Sequence, residues 1–101
     1  MKMIYISCDV TVVEELIELL ESTKIENYQV IEKITAKSQN GVPRFNNAVW
    51  PGYNSAIFIQ IDNEQKSLDL IVKLREFNKK IINQDELLTV CSWNLDEYFN
   101  D

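Results

Sequence analysis

The chain has 101 residues, 46% of them hydrophobic and 26% charged, which is the size of one domain and too apolar for a disordered chain. Its formal net charge of −6 repels phosphate backbones and argues against non-specific nucleic-acid binding. The absence of histidine and the presence of only two cysteines exclude Ser-His and Cys-His nucleophiles and a disulfide scaffold.

Read in order, residues 2–8 predict a strand, with Ile4, Ile6 and Cys8 on one face and Met3, Tyr5 and Ser7 on the other. Thr11 and Glu14 have the spacing of a capping box. Val13, Leu16, Ile17 and Leu20 then follow at helical spacing, and the helix is expected to end near Ser22 and Thr23. Residues 28–36 alternate as a half-buried strand. Residues 37–54 form the one long irregular stretch and hold both glycines and both prolines. Residues 55–61 read as a strand with Ile57, Ile59 and Ile61 on one face. Asp62 and Gln65 suggest a second capping box, and Leu68, Ile71, Leu74 and Arg75 mark a helix running to about Lys80, whose basic end suits the helix dipole. Residues 86–93 predict the last strand, and residues 94–101 an acidic, amphipathic tail.

The order β-α-β-β-α-β predicts an α+β, ferredoxin-like domain spanning residues 1–101: a four-stranded antiparallel sheet with two helices on one face. Ile4, Ile6, Ile57 and Ile59 are expected to face the helices. The other face would carry Tyr5, Phe58, Thr89, Cys91 and Trp93 or Ile31, an apolar surface that marks an interaction site. Another copy of the chain is the expected cover. The alternative is that the tail folds back over it with Tyr98 and Phe99.

Cys8 and Cys91 fall toward opposite ends of neighbouring strands, too far apart for a disulfide, which needs Cα atoms within about 7 Å. Both are read as buried structural thiols. No metal-ligand spacing is present; Asp96, Glu97 and Asp101 read as a solvated acidic tail. No run approaches the ~20 apolar residues of a membrane span, and the first residues lack a secretory pattern, so a cytoplasmic protein is expected. In the loop, Asn40-Gly41 and Pro51-Gly52 predict turns, with Gly52 accepting positive φ. Trp50 and Tyr53 would flank the second turn as an aromatic clasp, so that Trp50, Pro51, Gly52, Tyr53 and Asn54 form a structural motif. Lys37, Gln39, Gly41 and Arg44 are the candidates for contact with a small anionic ligand or a protein partner.

Two stretches carry a family resemblance. VIEKITAKSQNG, residues 30–41, is similar to the second strand and T-loop start of the P-II signal-transduction superfamily, where a T-V-T-E-V-K-G-F-G-R-Q-K-G-like run is typical; Val30, Glu32, Gln39 and Gly41 match. WPGYNSAIF, residues 50–58, resembles the entry to the third strand in short-loop P-II-like members. The resemblance implies a homotrimer with sheets packed face to face, small-ligand sites in the clefts between subunits and loops that contact a partner such as a membrane transporter. In nucleotide-binding members ATP or ADP lies near the loop base, and the loop glutamine, here Gln39, helps hold Mg²⁺ and 2-oxoglutarate. The chain departs from that pattern at Thr35, Ala36, Lys37 and Ser38, which replace G-F-G-R, and at residues 78–85, NKKIINQD, which lack the glycines that let backbone amides cradle phosphate. These departures argue against the family's usual mode of ATP binding and leave the cofactor unnamed. The function expected is that of a non-enzymatic P-II-like regulatory protein signalling through residues 37–54. The alternative is a CutA-like protein that binds divalent metal, and an enzyme on this common fold is a third reading.

Overall fold

The structure is a computed structural model, and it describes residues 1–39 and 41–101. Among the described residues, four strands, β1 (Lys2–Asp9), β2 (Tyr28–Ile34), β3 (Asn54–Ile61) and β4 (Thr89–Asn94), are joined with two helices, α1 (Val13–Ser22) and α2 (Glu64–Lys79). The strands form one sheet in the order β2-β3-β1-β4, and every neighbouring pair is antiparallel. The ferredoxin-like arrangement expected from the sequence is therefore the one observed.

Strand alternation divides the side chains between two faces. Ile4, Ile6 and Cys8 of β1 share a face with Ile57, Ile59 and Ile61 of β3, and they pack with Leu16 and Leu20 of α1 and Leu70 and Leu74 of α2 into one buried core. Both helices thus cover the same side of the sheet. The register aligns Tyr5 with Phe58 and Cys91, Met3 with Trp93, and Ile31 with Ala56 on the opposite face. Tyr5 and Phe58 stack there at 5.0 Å between ring centroids. Ile31 and Trp93 remain 47% and 42% exposed. The tail does not cover this face: Leu95 N–H donates to the Met1 carbonyl, and Phe99 is 73% exposed.

Several local expectations are corrected. The capping box at Thr11 does not form. Asp9 caps a single 3-10 turn, Val10–Val12, by accepting from the Thr11 N–H, and α1 begins only after it, because the aspartate is buried at the strand end and reaches the first free amide. Asn63, not Asp62, caps α2 through the Lys66 N–H. The apolar stripe of α2 runs through Ser67, Leu70 and Leu74, with Ile71 and Phe77 beside it, while Leu68 is 51% exposed. The small Ser67 lets that face approach the sheet; its hydroxyl donates back to the Glu64 carbonyl. β4 starts later than expected because Asn83 caps a 3-10 turn at Gln84–Glu86. Cys8 is buried but Cys91 is exposed, since β4 is an edge strand and its open face is uncovered.

Candidate functional site

The long connection between β2 and β3 is organised as two successive small loops hinged at Arg44. The Ala36 and Arg44 backbones exchange both hydrogen bonds, N–H to O at 2.9 and 2.7 Å. This pairing closes a first loop over residues 37–43. The second is closed by Asn46 N–H to the Gly52 carbonyl and by Asn47 N–H to the Trp50 carbonyl, both 2.9 Å. Asn46 adopts φ 54°, a left-handed conformation that asparagine tolerates better than most residues. The Asn47 carboxamide oxygen accepts from the Val49 and Trp50 amides at 3.1 and 2.7 Å. The turn therefore centres on Ala48 and Val49 rather than on Pro51-Gly52. The expected Asn40-Gly41 turn lies partly outside the described residues.

Gly52 is explained by space, since no glycine here has positive φ. A Cβ at Gly52 would lie inside 3.0 Å of the Arg44 guanidinium. That guanidinium crosses the glycine to form an ion pair with Asp9, whose side chain is 6% exposed. Its Nη2 also donates to the Tyr53 carbonyl at 3.4 Å, which in turn accepts from the Val10 N–H. The other Asp9 oxygen accepts from the Thr11 N–H and hydroxyl. One buried carboxylate thus joins the end of β1, the turn before α1 and the hinge of the loop. Tyr53 is half-buried, with the Lys33 ammonium 4.7 Å from its ring centroid. Trp50 is 37% exposed, so polar contacts at Asn47 and Arg44, more than an aromatic clasp, hold the second loop.

At the loop base the open face of the sheet forms a cleft of about 370 Å³. Tyr5, Ser7 and Thr89 floor it, the first loop supplies Lys37, Ser38, Gly41 and Arg44, and Gln84, Asp85 and Leu87 close the far side. Asp85 joins the two walls by accepting from the Val42 N–H at 3.1 Å. A Cβ on Gly41 would meet the same Asp85 oxygen at 3.3 Å, so the glycine permits the walls to approach. Two buried polar atoms at this site have no partner among the described residues: Arg44 Nε and Asn54 Oδ1. Leaving such a group unpaired costs about 1–3 kcal/mol. The Asn54 amide nitrogen is satisfied by the Ser7 hydroxyl at 3.0 Å.

Of the four residues expected to meet a ligand or partner, the fold brings Lys37, Gly41 and Arg44 to this cleft. Gln39 is exposed on a turn and outside the lining. Sequence reasoning missed Asp9 and Asp85. Asp9 falls just past the strand expected over residues 2–8, and nothing local shows that Arg44 returns to it. The Asn83-x-Asp85 spacing of a turn was the one available signal for the second. Among the described residues, no three Cys, Asp or Glu side chains gather where they could share a metal ion. Burial raises the Cys8 thiol to about 11, partly offset by the Ser55 backbone, so it is a poor nucleophile.

Comparison with known proteins agrees with this geometry at the level of fold. CPII from Thiomonas intermedia K12 bound to ADP and bicarbonate superposes with a TM-score of 0.68 at 14% identity, over 95% of this chain and 88% of that one. The apo form of CPII, a nitrogen regulatory PII-like protein, gives 0.62 at 13% identity, over 91% and 87%. A PII-like signalling protein from Thermus thermophilus gives 0.63 at 14%, over 93% and 85%. No family model matches the sequence, and no curated protein matches it in sequence. The chain has the fold of the PII-like signalling proteins.

Proposed function

We propose that this chain is a PII-like regulatory protein, non-enzymatic and self-associating, that senses a small anion at the base of its 37–54 loop and signals through that loop to a protein partner. The observation that carries this reading is the cleft itself, where Lys37 and Arg44 line one pocket with the polar side chains of Ser7, Asn54 and Thr89. The charge inventory favours a small ligand. Lys37 and Arg44 are opposed by Asp85 on the rim and by Asp9 beneath Arg44, so one chain offers little surplus charge to a polyphosphate. The CPII structure bound to ADP and bicarbonate makes those two compounds the first probes. A homotrimer with face-to-face sheets would cover Ile31, Cys91 and Trp93 and complete the cleft from a neighbouring subunit. Gln39 would contribute at its rim. The exposed Val42, Phe45 and Val49 of the loop suit an apolar patch on a protein partner, a membrane transporter being the class the family resemblance implies.

The test is native mass spectrometry of protein purified without added nucleotide or metal, followed by calorimetric titration with sodium bicarbonate and with ADP. A trimer that takes up either compound supports the reading, and Lys37→Glu, at an exposed position of the cleft, should weaken uptake by at least about tenfold, the scale of one charge-assisted hydrogen bond, without changing the oligomer. A monomer that binds neither overturns it.

A further inference from the structure

Arg44 is held with fewer partners than its chemistry allows. A guanidinium carries five N–H donors in a planar fork and pairs best with two oxygens at once. Among the described residues its hydrogen bonds run through Nη2 alone, to Asp9 and to the Tyr53 carbonyl, and Nε is buried without an acceptor there. The same residue lines the cleft and carries the backbone pairing that closes the first loop. Asn54 Oδ1, also unpartnered among the described residues, lies at the other end of the connection. The loop base is therefore under-satisfied where a ligand would arrive.

We propose that the Asp9–Arg44 pair is a latch, and that an oxyanion bound in the cleft takes Arg44 from Asp9 and frees the loop. This rests on the ligand-sensing reading above and specifies how the site would be regulated. In the latched state Asp9 binds the guanidinium through one nitrogen. A ligand with two oxygens on one centre, a carboxylate, bicarbonate or phosphate group, would satisfy Nε together with an Nη. Turning the fork away from Asp9 also lifts it off Gly52 and the Tyr53 carbonyl, so both small loops lose their common anchor. Asp9 retains its bonds to Thr11, and α1 keeps its start. Gly52 is part of the device because only a residue without Cβ lets the guanidinium cross.

Amide hydrogen exchange at Ala36 and Arg44, whose N–H groups form the hinge pairing, reads the latch directly. Asp9→Asn and Gly52→Ala should each speed exchange at both amides by about tenfold or more, as expected when a local opening is made easier. Gly52→Ala keeps both charges and displaces only the end of a flexible side chain, so it serves if Asp9→Asn fails to fold. The double variant should add little to either single, because both break one unit. In the unmodified protein, saturating sodium bicarbonate or ADP should speed the same two amides. Unchanged exchange in the folded Gly52→Ala variant overturns the latch, whatever binds. Faster exchange in the variants, with slower or unchanged exchange on ligand saturation, overturns the release step while leaving the sensor reading intact. If calorimetry shows that neither probe binds, the sensor reading falls and the pair is a fixed brace.

Discussion

Asp9 shows how much one side chain can hold together. It is 5% exposed overall and accepts from three separate donors, two on Thr11 and one on Arg44. Asp9→Ala strands a mostly buried guanidinium and removes the first cap of the helical segment, so it should cost about 3–5 kcal/mol, the usual consequence of halving a buried pair. Urea unfolding midpoints would measure it; a loss below ~1 kcal/mol would mean that the pair is solvated. Cys8 makes a different prediction. Its thiol, ordinarily at 9.0, is raised to about 11 by burial. The folded protein therefore keeps a proton that the unfolded chain gives up across that interval. Stability from this residue is full below pH 9 and is lost as pH rises toward 11, on the order of 2 kcal/mol in all. Cys8→Ala should flatten that part of the pH profile. At about pH 8 a thiol reagent should spare Cys8 until the protein unfolds, and should label Cys91 only in a form whose open face is uncovered.

Among the elements, the caps decide more than the propensities. Asn63 holds the first turn of α2 through the Lys66 amide, and Asn63→Ala should cost about 1 kcal/mol by thermal melting. Asn78, near the other end of α2, donates to the Leu88 carbonyl at 3.0 Å and accepts from the Leu88 amide at 2.8 Å. It acts as a side-chain substitute for a strand neighbour just before β4. Asn78→Ala should cost about 2 kcal/mol, two partly buried hydrogen bonds, and should raise exchange at Leu88 selectively. The strands are legible in the sequence because their alternation is a local signal with one period, and Ile4, Ile6, Ile57 and Ile59 face the helices as the pattern requires. The stripe of α2 is not, because Leu68 looks like core and Ser67 does not. Burial there follows from how closely the helix sits on the sheet, which hydrophobicity alone does not report. Cap positions escape the sequence for a related reason: Asp9 caps from the end of a strand, and Asn63, in extended backbone, takes the N-cap that Asp62 equally suggests.

For the whole molecule, the face that carries Tyr5, Ile31, Phe58, Cys91 and Trp93 is recognisable from alternation alone, and the structure leaves it uncovered. The cleft at its edge is legible only in part. Lys37, Gly41 and Arg44 lie near one another in sequence, whereas Asp9 and Asp85 reach the same place through tertiary contacts that no local pattern encodes. If copies of the chain pack through this face, Ile31→Glu together with Trp93→Glu should yield a folded monomer, with unchanged circular dichroism and a smaller mass by light scattering. An unaltered mass would place the contact elsewhere.

The strand order also governs how the chain must assemble in time. β1 is synthesised first and is central, yet its two neighbours are β3 and β4: Ile6 waits for Ile57 on one side and for Val90 on the other. Among the described residues the one pair of neighbouring strands that is consecutive in the chain is β2 and β3, and the long loop separates them, so β1 has no partner next to it in sequence. Closing those long loops is an entropic barrier met before any pairing compensates it, so refolding should fall in the millisecond-to-second range typical of non-local topologies. On a ribosome the apolar β1 would remain unpaired until β3 had emerged, and its other edge until β4 had, so the nascent protein exposes a strand that the folded one pairs on both sides.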